Sequence, residues 1–404
     1  MRSVEAHQMI VADLFPRPSS DMVTVERALG RVLASRVSAP ARLPGFDNSA
    51  MDGYAIRVAD IADVPTSLPV TEDIPAGRTD RLTLEPGTAH RIMTGAPLPA
   101  GADAVVPVEQ TDGGTDRVTI HQIPAPDANI RRAGSDITVG DTALPTGQLI
   151  GPAQLGLIAA LGLPTVTVTR RLNVLVVSTG SELVEPGRAL QYGQIYESNG
   201  PMLAAALTAA GATAHRIHFV PDDTSEFLDR ISEFVDNAAD RVDLILTSGG
   251  VSAGAYEVVK EALADQDVEF VKVAMQPGMP QGAGRFRSHG GRVVPIVTVP
   301  GNPVSAQVSF EVFVRPPLRR AMGLPAERTR VAARITESVR STAGKRQFRR
   351  GILTMDGASW VVRPIGPPSS HHLRFLASAN ALLDIPADVE SVDSGTLVSA
   401  LLID

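Results

Sequence analysis

Apolar residues recur at helical spacing over Val4–Leu14 and Val25–Leu33, and this spacing predicts two short helices. Thr24 is placed to cap the second, with Arg27 and Arg31 on its polar side. From Gly53 to Leu144 the pattern changes. Short apolar runs such as Ala104–Val108 and Arg117–Ile120 alternate with Pro, Gly and Asp turns, which predicts a β-rich domain. Thr142–Thr169 carries no charge, but Gly147, Gly151, Pro152, Gly162 and Pro164 cut it up. Its helical piece, Ala153–Leu161, is far shorter than the roughly 20 residues a membrane span needs.

From Arg171 to Leu324 strands and helices alternate. The predicted strands are Leu172–Val177, Ala214–Val220, Val242–Thr247, Phe270–Ala274 and Val293–Val299. The predicted helices are Pro201–Ala210, Ser225–Asn237, Tyr256–Ala264 and a long closing helix, Pro303–Ala321. Continuous apolar strands between helices imply a doubly wound, mostly parallel sheet covered on both faces. Pro325–Asp404 returns to strands and turns, with runs at Val331–Ile335, Gly351–Met355, Trp360–Arg363 and Thr396–Ile403. The fold class is therefore α/β multidomain, with a central parallel-sheet domain, an inserted β-rich domain and a small C-terminal β domain.

Composition narrows the function. A net charge of −7 with mixed signs disfavours a nucleic-acid footprint, and 4% aromatic residues is too few for base-stacking platforms. The absence of cysteine excludes disulfides, thiolate metal sites and a cysteine nucleophile, and fits a cytoplasmic setting. Residues 1–14 include Arg2, Glu5 and Asp13 and do not read as a signal peptide.

Candidate chemistry sits in loops. Pro44–Ala55 reads P-G-F-D-N-S-A-M-D-G-Y-A and carries Asp47 and Asp52 among turn-forming residues. It is either a turn with two solvated acids or a scaffold fixing a functional carboxylate. In a doubly wound sheet, ligands bind beyond the carboxyl ends of the strands. Three loops are expected there: Ser178-Thr179-Gly180-Ser181-Glu182, Ser248-Gly249-Gly250-Val251-Ser252, and Pro300-Gly301-Asn302-Pro303-Val304-Ser305. Consecutive glycine amides and following helix starts suit phosphate or another tetrahedral oxyanion. Simple turns and caps explain Gly249, Gly250, Asn302 and Pro303 as well. Glu182, Asp222, Asp223 and Glu257 flank these loops, and carboxylates beside a phosphate cradle imply magnesium. Each has an ordinary role too, such as Asp223 capping a helix. Neither a P-loop nor G-x-G-x-x-G is present. His371 and His372 are adjacent, and in any regular element they diverge, which makes a poor metal pair.

Six motifs in order resemble the molybdopterin molybdenumtransferase family, MoeA and the gephyrin E domain. They are the Pro44–Ala55 segment, R-I-M-T-G-A-P at Arg91–Pro97, S-T-G-S-E-L at Ser178–Leu183, G-Q-I-Y-E-S-N at Gly193–Asn199, T-S-G-G-V-S-A-G at Thr247–Gly254, and V-P-G-N-P-V-S at Val299–Ser305. The resemblance implies four parts: a helical linker domain (1–43 with 145–170), an inserted β-rich domain (44–144), an α/β molybdopterin-binding domain (171–324) and a C-terminal β domain (325–404). It implies a homodimer whose cleft joins the α/β domain of one subunit to the second domain of the other. The implied reaction is insertion of molybdate into the dithiolene of adenylylated molybdopterin, with magnesium assisting and AMP released. A molybdopterin adenylyltransferase and cofactor-accepting apoenzymes are the implied partners.

By motif position Asp52, Thr94, Glu182, Asp222 and Glu257 match functional positions, Asp222 and Glu257 as metal ligands. The three loops, with Ser178, Thr179, Gly180, Ser248, Gly249, Gly250, Ser252, Pro300, Gly301, Asn302, Pro303 and Ser305, become the candidate substrate contacts. Lys272, Arg350 and Ser370 join them, the last two toward the oxyanion. The chain departs from the family in three places. Gln276-Pro277-Gly278-Met279-Pro280 stands where K-P-G-K-P is common, Glu257 where Asp is common, and Pro368-Ser369-Ser370-His371 where the family has Q-G-S-H. The lost lysines leave open a non-catalytic paralogue or scaffold. An adenylyltransferase using the same α/β domain is a third reading, which the extra domains disfavour.

Overall fold

The computed structural model describes residues 1–217, 223–239, 241–250 and 258–403. The chain opens on helix α1 (Val4–Leu14), as its periodicity predicts, with the Ser3 hydroxyl accepting from the Ala6 amide at its start. Two compact units follow from the contacts: Asp21–Val168, and Met1–Ser20 together with Thr169–Asp404.

In the unit Asp21–Val168, the predicted helix Val25–Leu33 is not formed. Val25–Arg27 makes one 3₁₀ turn, and Thr24 provides no side-chain cap. Beyond Gly30 the chain is extended, with Val32 bridging to Leu149 and Leu33 to Val168. Nine residues are too few to hold a helix against strand pairing and a shared apolar core with Ile150 and Ile158. The β-rich part is a five-stranded sheet of β1 (Gly53–Ile56), β2 (Thr66–Ile74), β3 (Ala89–Ile92), β4 (Ala104–Pro107) and β5 (Arg117–Ile120), in the order β4-β1-β3-β2-β5. Helix α2 (Pro152–Ala160) lies where the uncharged segment predicts one.

The second unit is built around a six-stranded sheet. Its elements in chain order are β6 (Asn173–Ser178), α3 (Asn199–Ala209), β7 (Thr213–Arg216), α4 (Thr224–Asn237), β8 (Leu244–Ser248), α5 (Val258–Ala262), β9 (Asp267–Lys272), β10 (Pro280–Arg287) and β11 (Val293–Val299). The sheet order is β7-β6-β8-β11-β10-β9. The first four strands are parallel, and β10 runs antiparallel to both neighbours. Residues of β6 alternate between two cores. Val174 and Val176 join α1, α3 and the closing helices, whereas Leu175 and Val177 join α4 and α5. Both faces of the sheet are thus covered, which is why β6 is buried along its whole length.

The predicted helix Pro303–Ala321 is interrupted. It runs as α6 (Pro303–Ser309), a π turn (Phe310–Val314) and α7 (Arg315–Ala321). Pro316 has no N–H for the carbonyl of Val312, four residues earlier. The Gln8 side-chain amide supplies the missing donor at 3.1 Å. The wider turn buries Glu311, which Arg328 grips with two hydrogen bonds of 3.0 Å.

The C-terminal strands are β12 (Arg330–Ile335), β13 (Arg346–Asp356), β14 (Ser359–Pro364), β15 (Ala381–Ile385) and β16 (Leu397–Leu402), with α8 (Leu373–Ala377) between β14 and β15. Their order, β13-β14-β12-β16-β15, closes because β15 also pairs with β13. Closure leaves the ring without an open edge.

Candidate active site

Strands β6, β8 and β11 are parallel neighbours, so their loops leave the sheet on one edge. The backbone laces them together. The Thr179 amide donates to the Ser248 carbonyl at 3.0 Å, and the Gly249 amide to the Val299 carbonyl at 3.2 Å. Gly249 and Gly250 both take left-handed φ angles. A Cβ on Gly249 would stand 2.6 Å from the Thr179 carbonyl, and one on Gly250 would stand 2.7 Å from Val259. Turn geometry and close packing therefore explain both glycines, and the Gly249 amide is already engaged within the sheet edge.

The motif at Gly193–Asn199 docks onto the first loop. Ile195 donates to the Glu182 carbonyl and Glu197 to that of Val184, each at 2.9 Å. Asn199 then reaches the third loop, its side-chain amide donating to the Gly301 carbonyl at 2.6 Å. Beneath these contacts Glu197 is 5% exposed. Its carboxylate accepts from the Ser178 hydroxyl at 2.9 Å and the Gly200 amide at 2.6 Å, and pairs with Arg216 at 3.3 Å. The result is a cleft of about 590 Å³.

Of the residues singled out in the sequence, Ser178, Thr179, Gly180, Glu182, Ser248, Gly249, Gly250, Gly301, Asn302 and Pro303 line this cleft. Pro300 and Ser305 are buried beside it. Lys272 ends β9 on the same sheet edge, two strands from β11. Asp222, Ser252 and Glu257 lie outside the described residues. Asp223 caps α4, accepting from the Glu226 amide at 2.8 Å. Among the described residues no group of three His, Asp or Glu side chains is arranged to hold a metal ion.

Neither Arg350 nor Ser370 is among the residues that line this cleft. Arg350 is buried, and its guanidinium donates to the carbonyls of Ser369 at 3.1 Å, His372 at 3.4 Å and Pro367. The Ser370 carbonyl accepts from the Val304 amide at 3.1 Å, which pins this loop to the first turn of α6. His371 is the residue of the loop that lines the cleft. The divergence expected of His371 and His372 in a regular element does not apply to them. They stand in a turn rather than a regular element, and their rings meet edge to face at 4.2 Å.

In the other unit, the segment Pro44–Ala55 and the motif at Arg91–Pro97 form one body. Ser49 donates to Ala96, Gly95 to Ser49 and Leu98 to Asp47 through the backbone. This brings Thr94 to Asp52, whose Oδ1 accepts from the Thr94 amide at 2.6 Å and hydroxyl at 2.7 Å. These bonds, the hydroxyl's first, hold the Asp52 carboxyl below the usual carboxylate range. Asp47 serves the turn itself, accepting from the Ala133 amide at 2.7 Å and pairing with Arg132. Gly53 keeps ordinary backbone angles, but a Cβ there would overlap the Val106 carbonyl across β1 and β4.

Glu197, Asn199, Tyr196 and His371 were not singled out from the sequence as site residues. The first three belong to a motif recognised there for its order alone. His371 was weighed only as a metal ligand.

The chain matches models of the MoeA N-terminal region (domain I and II) over residues 2–162, a probable molybdopterin binding domain over 175–320, and the MoeA C-terminal region (domain IV) over 332–403. A Mycobacterium tuberculosis protein named molybdopterin molybdenumtransferase 2 is 56% identical over 408 residues, covering 98% of both chains. The chain belongs to the molybdopterin molybdenumtransferase (MoeA) family. Molybdopterin molybdenumtransferase 1 of the same organism is 37% identical, again over 98% of each chain. The crystal structure of the molybdopterin biosynthesis MoeA protein from Pyrococcus horikosii superposes with a TM-score of 0.81 at 30% identity, covering 100% of this chain and 99% of that one. In MoeA terms, the cleft from Ser178 to Pro303 falls inside the molybdopterin binding domain match, and His371 and Leu373 come from the C-terminal region. Asp52 and Thr94 fall in the N-terminal region.

Proposed function

We propose that this chain is the molybdenum insertase of molybdenum cofactor biosynthesis. It takes adenylylated molybdopterin, transfers molybdate into the dithiolene and releases AMP. The observation that carries this reading is the cleft itself. Four motif loops, separate in sequence, are bonded to one another around a single space beyond the carboxyl edge of the parallel sheet. That space lies in the segment matching a molybdopterin binding domain. The named transferases that share over half or a third of this sequence support the reaction class.

The chain's own residues do positional work in this reading. Glu197 fixes the Ser178 hydroxyl, and Asn199 ties the first motif pair to the Gly301 loop, so the cleft is preorganised. Magnesium would neutralise charge developing on the pyrophosphate. Glu182 presents an exposed carboxylate on the cleft, and Asp222 and Glu257 are the further candidate ligands. The proposed unit is a homodimer in which Asp52, held by Thr94, serves the cleft of the partner subunit. A cytoplasmic adenylyltransferase supplies the substrate and apoenzymes accept the product.

The purified protein is expected to convert adenylylated molybdopterin and molybdate into cofactor that activates an apoenzyme, and to stop when EDTA removes magnesium. Asp52→Ala should abolish insertion with an unchanged circular dichroism spectrum. Absence of turnover by the unmodified protein would sink the insertase reading. One observation favours the second reading, a non-catalytic binding paralogue. Gln276, standing for a family lysine, gives its Oε1 to the Gln347 and Thr342 side chains at 3.0 and 3.2 Å. It is engaged in joining the C-terminal ring. Rescue of a strain lacking its insertase would decide against the paralogue.

A further inference from the structure

Two described residues that line the cleft hold a buried polar side-chain atom without a hydrogen-bond partner. Thr179 is 6% exposed and its hydroxyl is unpaired; Asn199 is 9% exposed and its Oδ1 is unpaired. The Asn199 amide is fixed at its other end, where Nδ2 donates to the Gly301 carbonyl at 2.6 Å. That bond sets which way the amide faces, so Oδ1 is an acceptor with nothing to accept. A buried polar atom left unpaired destabilises the fold. The neighbouring groups of the same wall are satisfied, Ser178 donating to Glu197 and Glu197 having three partners.

The two atoms flank one strip of glycine backbone. A Cβ on Gly249 would stand 2.8 Å from the Thr179 Oγ1, and a Cβ on Gly301, whose carbonyl holds Asn199, would stand 3.3 Å from the Gly249 Cα. With no side chain on either glycine, the strip admits a ligand against its backbone. The chemistry of the pair is selective. At pH 7.5 phosphoryl and molybdate oxygens accept hydrogen bonds and do not donate them, so they cannot serve Asn199 Oδ1. An N–H or O–H can, and the Thr179 hydroxyl pairs with either a donor or an acceptor beside it.

We infer that Asn199 and Thr179 read an uncharged, donor-bearing edge of the substrate: the N–H groups of its pterin, or the amino group or ribose hydroxyls of its nucleotide. The inference rests on the insertase reading, which it deepens by assigning this part of the cleft to recognition rather than to charge. Three probes, AMP, 6-hydroxymethylpterin and sodium molybdate, are titrated calorimetrically into the full-length protein at pH 7.5. Thr179→Val keeps the shape and deletes the hydroxyl. It should melt no lower than the parent, because the group removed is unpaired. It should nevertheless bind AMP or the pterin about fivefold more weakly, and the probe affected identifies the edge. Asn199→Leu should weaken the same probe. Both variants should bind molybdate as the parent does.

Unchanged affinity of Thr179→Val for both AMP and the pterin would overturn the inference and leave the insertase reading standing, with water as the partner of the two atoms. A loss that extends to molybdate would overturn it too, since the residues would then serve the shape of the cleft or the oxyanion. So would a clear drop in the melting temperature of Thr179→Val, which would assign the hydroxyl to the fold. If the unmodified protein bound neither AMP nor the pterin, the insertase reading and the inference would fall together.

Discussion

At the scale of single residues, Glu197 shows how a buried charge can be tolerated at a cleft. Its carboxylate has a hydroxyl, an amide and a guanidinium as partners, so its desolvation is offset on every side. Glu197→Ala leaves the Ser178 hydroxyl and Gly200 amide without an acceptor. It should lower stability by about 3 kcal/mol in urea denaturation. Glu197→Gln retains an acceptor for both and forfeits only the pair with half-exposed Arg216, which water screens. Its cost should be about 1 kcal/mol. Equal costs would mean that the arginine, not the floor of the cleft, is what Glu197 serves.

At the scale of elements, α1 carries a buried histidine that no sequence pattern distinguishes from a core apolar residue. His7 is fully buried, packs edge-on against Phe313 of the π turn at 4.7 Å, and neither ring nitrogen has a partner. Burial, aided by Arg2, lowers its pKa from 6.5 to about 4. The unfolded chain therefore binds a proton that the folded chain refuses. Its contribution is intact above pH 6.5 and is lost as pH falls toward 4. Between pH 7.5 and 5 the loss should be about 2 kcal/mol. Urea unfolding of His7→Leu beside the parent at both pH values checks this, and parallel pH dependence would refute it.

The elements legible in the sequence were those with strong periodicity or continuous burial, such as α1, α4, β6 and β11. Strand β10 was not legible. Gly282 and Gly284 give it no strand propensity, yet they are required because Phe270, Thr298 and the Asp267 backbone press against them. The π turn was hidden for a different reason: Pro316 and Pro317 were visible, but the donor that stabilises the break comes from Gln8. Likewise the loops of the cleft were readable from glycine and strand order. Glu197 was not, because its significance comes from partners in other segments.

At the scale of the molecule, the unit Asp21–Val168 is an insertion whose two crossings run side by side. Ser20–Thr24 pairs with Thr165–Thr169, and the Arg170 amide donates to the Ser19 carbonyl at 2.9 Å. Three apolar clusters, centred on Leu33, Tyr54 and Ile92, lie within residues 21–168. A fragment of those residues should fold alone, melting in a single cooperative transition followed by circular dichroism. A broad, non-cooperative melt would show that the unit depends on the rest of the chain.

The position of α1 has a consequence during synthesis. It is complete at Leu14, yet the strand whose face it covers begins at Asn173. Val4 and Val11, which end in the same core as Val174, Val176 and Phe313, must leave the ribosome long before those partners exist. The inserted unit, made next and carrying its own cores, is ready first. The amino-terminal helix is therefore an early-made, late-docked element. For as long as translation takes to reach the central sheet, its apolar stripe is a surface for chaperones to shield.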